Sequence, residues 1–196
     1  MKKLSLLFTK DGLQWHISKG KTVLEEAFHF VTEETSPHLV EEKLDDVLKF
    51  DDYKEIEVIS ALNHFSLTPD TFAEHELGYK LISYNAPVDE ANEELMLSVN
   101  KKFAVQFYYT FPKHFYQKIK AKKLPTKFNF SGEKFLNALT VKNHKEIHIN
   151  LYHHQVEFFA FENKKVVLYN NLDADSEVDF LYFIMFSLSK INFGTA

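Results

Sequence analysis

No cysteine occurs among the 196 residues of the chain. That excludes disulfide staples, thiolate metal sites and cysteine nucleophiles. Glycine and proline number five each, too few for a linker-rich or disordered chain. Long apolar runs are also missing. The longest, Phe180 to Ser187, falls far short of a membrane span. The start, MKKLSLLFTKDG, is apolar only from Leu4 to Phe8 before Lys10-Asp11 ends the stretch, too short for the core of a secretory leader. A cytoplasmic location is expected. The net charge of -5 argues against general nucleic-acid binding. Neither a Gly-x-Ser-x-Gly elbow nor a P-loop is present, which removes two common hydrolase and nucleotide signatures.

What the chain does have is apolar mass. Hydrophobic residues make up 45% and phenylalanine alone counts 20, ample for one domain or two small lobes sharing a core. The chain also writes one pattern twice. KLSLLFTKDGLQWHISKGKTVL (3–24) lies without gaps on EIHINLYHHQVEFFAFENKKVV (146–167). Leu4 falls on Ile147, Leu6 on Ile149, Leu13 on Val156 and Trp15 on Phe158. Alternation in each half, broken by KDG in one and YHHQ in the other, predicts hairpins.

In the first half a third strand is expected at 22–31. A helix follows with cap signals at Ser36-Pro37 and helical spacing of Leu39, Val40, Leu44, Val47 and Leu48. EIEVISAL (55–62) is a strand candidate. Between the copies, Thr68 is the expected N-cap of a short helix after Pro69, KLISYNA (80–86) is strand-like, and VDEANEEL (88–95) is polar and exposed. FAVQFYYTF (103–111) is the strongest strand, PKHFYQKIKAKK (112–123) a helix with Pro at its first position, and a further helix begins near Ser131. In the second half strands are expected near 146–152, 155–162 and 164–170. The helix after Ser176 is apolar nearly all round, which predicts burial on most sides. The order is α/β: two ribonuclease H-like units, with the second unit short of its fourth strand.

HFSLTPDTF (64–72), YYTFPKHF (108–115), VVLYNNLD (166–173) and VDFLYFIMF (178–186) carry a likeness to a known family. The chain resembles a Bacteroidetes family of domains of unknown function with a degenerate actin-like ATPase fold. The likeness spans most of the chain, and its motifs are packing motifs. It implies a duplicated ribonuclease H-like frame, with residues 1–85 as the first subdomain, 86–145 as a connecting region and 146–196 as a second, truncated subdomain. The family is similar in architecture to cytoplasmic actin-like proteins of pilus-assembly and type II secretion machines, which act mostly by binding partners.

An active actin-like ATPase, the resemblance implies, holds nucleotide between the two hairpin turns, each offering an acid and glycines to the phosphates. Asp11 and Gly12 in TKDGL are weak cofactor-binding candidates, since Asp-Gly is also common hairpin chemistry. The second turn, YHHQV, has neither acid nor glycine, and Gly194 makes no adenosine loop. His148, His153 and His154 raise a metal site, but neighbouring histidines at a turn usually point apart, and surface residues are expected. Asp173, Asp175 and Asp179 are expected to serve the N-terminus of the helix that follows them. The lysines of 113–127 form a basic stretch, with Lys118, Lys120, Lys122 and Lys123 as candidate polyanion contacts; the alternative is the solvated face of an amphipathic helix.

No catalytic residue, cofactor or metal is expected. The function expected is a non-catalytic cytosolic interaction or scaffold protein, with a protein partner or self-association through 146–196, and without a membrane span. The alternatives are an ATP-binding protein with an unrecognised site and an RNA-associated accessory protein using the 113–127 lysines.

Overall fold

A computed structural model describes residues 2–32, 34–36, 38–191 and 193. Pro37 and Gly194 lie outside these residues. Alternating apolar side chains at Leu4, Leu6 and Phe8 set the inner face of β1 (Lys2–Thr9). β1 pairs antiparallel with β2 (Gly12–Lys19), and β2 with β3 (Thr22–Phe30). After α1 (Leu39–Leu48), β4 (Tyr53–Ser60) returns parallel to β1. β5 (Phe65–Pro69), a 3-10 turn at His75–Leu77, α2 (Gly78–Ser83), β6 (Glu93–Asn100), β7 (Val105–Pro112), α3 (Lys113–Ala121), β8 (Thr126–Phe130) and α4 (Ser131–Ala138) fill the middle. The second meander is β9 (Glu146–Tyr152), β10 (Gln155–Glu162) and β11 (Lys165–Asp173), closed by α5 (Glu177–Lys190).

These strands form a five-stranded sheet in the order β3-β2-β1-β4-β8 and two three-stranded sheets, β5-β7-β6 and β11-β10-β9. The two meanders share details beyond strand order. Both carry a register shift just before the last two residue pairs of the second pairing, between Ile17 and Ser18 in one and between Ala160 and Phe161 in the other. Both close on the same backbone bond: Val31 N–H donates to the Asp11 carbonyl and Ala174 N–H to the His154 carbonyl.

Three buried clusters hold the layers. Leu4, Leu6, Phe8, Leu13 and Trp15 meet Leu44 and Val47 of α1, Ile119 of α3 and Phe111 of β7. Phe107 and Tyr109 of β7 meet Phe65, Phe130, Phe159, Phe161 and Tyr169. Val156, Phe158 and Ala160 on the opposite face of β10 meet Ile184 and Leu188 of α5.

Several expectations fail in instructive ways. KLISYNA is no strand: its first residues belong to α2, where Gly78 and Ile82, one helical turn apart, are both buried. A Cβ at Gly78 would stand 2.7 Å from the end of the Leu95 side chain, so the helix lies close enough to β6 that any larger residue would displace that leucine. Thr68 caps nothing. It sits within β5 and pairs with Gln106. The acidic stretch 88–95 is exposed only in part, because Asp89 ties a turn to Ala91 and Asn92 and the chain then enters β6. Pro112 ends β7 and is the N-cap of α3, one place before the first helical position expected for it. Finally, α5 is not buried on most sides. Ile184 and Leu188 are buried, while Val178, Leu181 and Tyr182 are 74%, 60% and 59% exposed.

One carboxylate lies wholly inside the protein. Glu157 is 0% exposed. It accepts from Ser131 Oγ at 2.8 Å, Tyr169 OH at 2.7 Å, Asn150 Nδ2 at 3.1 Å and Tyr152 OH at 3.1 Å. Four donors offset the loss of water, as a buried charge requires. Burial, and then the Glu157 charge, push the Tyr152 and Tyr169 phenols up from 10.0. Glu157→Ala should therefore cost about 2–4 kcal/mol, because it leaves buried donors without an acceptor. A loss under about 1 kcal/mol in urea unfolding would show that water replaces the carboxylate. With both phenol values raised, their contribution is full below about pH 10 and is lost as pH climbs toward the folded-state values. Tyr152→Phe should flatten that alkaline loss.

Candidate functional site

Both hairpins turn through two residues: Lys10-Asp11 between β1 and β2, and His153-His154 between β9 and β10. The fold brings these tips together. The His154 N–H donates to Asp11 Oδ2 at 3.1 Å, across 143 residues of sequence. The His153 ring stacks on Phe30, centroids 4.4 Å apart and planes 19° apart. Asp11, His153 and His154 each offer a ligand atom, and these atoms lie within 4.8 Å of one another.

The segment after β4 fills the space beneath the tips. Gln155 Nε2 donates to the Ala61 carbonyl and to Asn63 Oδ1, both at 2.7 Å. Asn171 Nδ2 donates to the same carbonyl at 3.2 Å, and Asn63 Nδ2 donates to Asp173 Oδ1 at 3.0 Å. Lys10 Nζ lies 3.2 Å from Asp173 and 3.8 Å from Asp175. Two amides of the second meander thus converge on one backbone carbonyl of the segment after β4, and each places its N–H donors where buried amides need an acceptor. An open cavity of about 480 Å³ flanks the second turn, lined by Leu151, His153, His154, Ala174, Ser176 and Phe180.

The expected site residues are distributed as follows. Asp11 is at the junction and caps the other turn. Gly12 opens β2 opposite Thr9, and a Cβ there would stand 1.9 Å from the His29 carbonyl. The glycine is thus required by the close approach of β3. His148 leaves the histidine group and pairs with Glu146 at 3.1 Å. Of the three acids, Asp179 lies in the first turn of α5, where Ser176 Oγ accepts from its backbone N–H at 3.2 Å and donates to its Oδ2 at 2.7 Å, so a serine meets the free N–H that the carboxylates were expected to satisfy. Asp173 turns to Lys10 and Asn63 instead. Lys118 is held by Glu41 and Asp45, each at 2.8 Å, and Lys122 by Asp51 at 2.6 Å. Two of the four candidate polyanion contacts therefore bind α1 and its C-terminal loop, while Lys120 and Lys123 make no ion pair among the described residues. The junction itself, with Asn63, Gln155 and Asn171, was not found from sequence. The 143-residue shift that lays Asp11 on His154 was the available signal.

The family profile described as "Protein of unknown function (DUF3822)" matches residues 1–196. The chain belongs to that family. No curated protein matches it significantly. Among solved structures, the chain is similar to a Bacteroides thetaiotaomicron VPI-5482 protein with actin-like ATPase fold and unknown function. The TM-score is 0.80 at 20% identity, over 98% of this chain and 78% of that one. It is similar to the cytoplasmic domain of EpsL, an inner membrane component of the Vibrio cholerae type II secretion system, with TM-score 0.52 at 10% identity over 88% and 71%. It is also similar to a chain of the PilM-PilN type IV pilus biogenesis complex, with TM-score 0.51 at 12% identity over 95% and 66%. The fold is α/β and actin-like. Among the described residues, no helix is long and apolar enough to cross a membrane.

Because Gly12 meets backbone and not a flexible side chain, Gly12→Ala should cost roughly 2 kcal/mol or more. Thermal or urea unfolding measures it. A neutral substitution would mean that β3 can draw away from the turn without loss.

Proposed function

We propose that this member of the DUF3822 family is a non-catalytic cytosolic interaction or scaffold protein on a degenerate actin-like frame. The observation that carries the reading is the bond from His154 N–H to Asp11 Oδ2. In an actin-like ATPase the space between the two turns belongs to phosphate, as the resemblance implies. Here one acid and one backbone donor from the two turns satisfy each other, and His153 and Phe30 stack beside them. All 23 basic residues are lysines, so no guanidinium is available to grip phosphate by two bonds.

In this reading the two meanders are copies of one ribonuclease H-like unit. The shared register shifts and the matching bonds to the Asp11 and His154 carbonyls support it. The division proposed is 1–85, 86–145 and 146–196, with β5 and β8 reaching across the boundaries to tie the parts together. The second unit holds a meander and one helix within this chain.

The partner-binding part of the proposal rests on 146–196. Val178, Leu181, Tyr182, Met185 and Phe186 form an apolar stripe on the outer side of α5. Ile147, Ile149 and Leu151 pair with Ala160, Phe158 and Val156, so they lie on the same face of the sheet as α5 and are exposed too. Exposed apolar residues in such number mark an interaction surface more often than bare solvent contact. Two of the similar structures are a secretion-system component and a pilus biogenesis complex, which supports a role in assembly.

Titration with Mg-ATP by calorimetry should show no binding. Micromolar affinity would overturn the degenerate-site reading in favour of an ATP-binding protein. The purified chain should also bind a hydrophobic dye and self-associate or hold a partner in light scattering. The pair Leu181→Glu and Phe186→Glu should abolish both. A monomer that ignores the dye would remove the partner-binding part.

A further inference from the structure

We propose that Asp11, His153 and His154 form a binding site for a transition-metal dication of the zinc, cobalt or nickel class. The site is independent of the scaffold reading, since it needs neither nucleotide nor partner.

The ligand types set the metal class. Two imidazoles and one carboxylate suit borderline cations, whereas magnesium and calcium prefer oxygen alone. The chain has no cysteine, so no thiolate competes for the ion. Three protein ligands leave a fourth position for water, as in open zinc sites.

Geometry favours the same assignment. The three ligand atoms already lie within 4.8 Å of one another. Ligands of a tetrahedral zinc with bonds near 2.0–2.1 Å stand roughly 3.3 Å apart, so rotation of the exposed histidine rings covers most of the difference. The supports are already made. Asp11 Oδ2 is fixed by the His154 N–H, which leaves Oδ1 for the metal. Phe30 covers one face of the His153 ring and leaves its edge nitrogens open. The bonds from Val31 N–H and Ala174 N–H pin the two turns from behind. Such outer contacts orient ligands and raise affinity. Lys10, next to Asp11 in the turn, is paired with Asp173 and Asp175, which offsets its repulsion of an incoming dication.

The metal would join two turns that no short loop connects. Binding only the folded state would raise the melting temperature with metal concentration.

The test uses the full chain stripped with chelator. Zinc is titrated by calorimetry and cobalt by its visible absorption. The expected result is one equivalent bound, tetrahedral in the cobalt spectrum, with affinity falling about tenfold or more in each of Asp11→Asn, His153→Gln and His154→Gln. Asn still accepts from the His154 N–H, so Asp11→Asn keeps the junction while removing the charge. His148→Ala should leave binding unchanged. Zinc should raise the melting temperature of the unaltered chain and not that of a His153→Gln, His154→Gln double variant. Absence of saturable binding overturns the proposal. So does binding that survives Asp11→Asn at full strength, which would mark a surface histidine pair, and so does binding lost in His148→Ala.

Discussion

β7 is the strand on which the rest of the molecule depends. Phe107 and Tyr109 point into the cluster that contains Phe130, Phe159 and Tyr169. Phe111, two residues on and on the same face, enters the cluster around Phe8 and α3. One strand therefore fixes the distance between the first meander and the second. Ring pairs reinforce it: Phe111 meets Phe8 edge-on at 5.0 Å, and Phe107 meets Tyr169 edge-on at 5.2 Å. Such pairs add about 0.5–1.5 kcal/mol each beyond area burial. The other face of the strand is polar and equally engaged, with Gln106 Nε2 donating to the Phe72 carbonyl at 2.7 Å.

With that spacing set, the hairpin tips have little freedom. They meet because both meanders are anchored to β7 and its neighbours, and the Ala61–Asn63 segment is the wedge between them. Its position follows from β4: Ala61 N–H donates to the Phe8 carbonyl at 2.8 Å, just past the last strand residue. Gln155 and Asn171 then find its carbonyl from the opposite side. The junction is a polar seam laid over an aromatic frame, and its chemistry is limited to what the two turns carry.

Much of the fold was legible in the sequence where side chains alternate strictly. Leu4-Leu6-Phe8 and Leu13-Trp15-Ile17 give period two without competition, and the second meander repeats them. The middle of the chain was less legible because its patterns are decided by neighbours. The helix at 78–83 exists because Gly78 and Ile82 fit against β6 and β7, a fact of packing that no local propensity expresses. α5 misled for the opposite reason. Its composition is apolar all round, and composition cannot say how many faces have something to bury against. In the site, Asp11 was legible as a turn acid and the histidines as a turn pair. That a carboxylate and a backbone N–H from opposite halves satisfy each other was not, since it depends on where two distant tips come to rest.

The separation of those tips along the chain bears on the order of assembly. Asp11 and His154 close a loop of 143 residues. Closure entropy rises only slowly with loop length, but it must be met before the contact gives anything back. Each meander, by contrast, is built from neighbouring strands and two-residue turns, and its contacts are local. The hairpins are thus expected to form early, the aromatic frame to bring them into register, and the seam between the tips to zip last. The same asymmetry runs in reverse in the native state. The exposed bond between the tips opens more readily than the frame beneath it, so amide exchange at His154 should be faster than at Phe107 or Phe158. The tips are then a local latch, able to part and re-close while the frame of the protein stays folded.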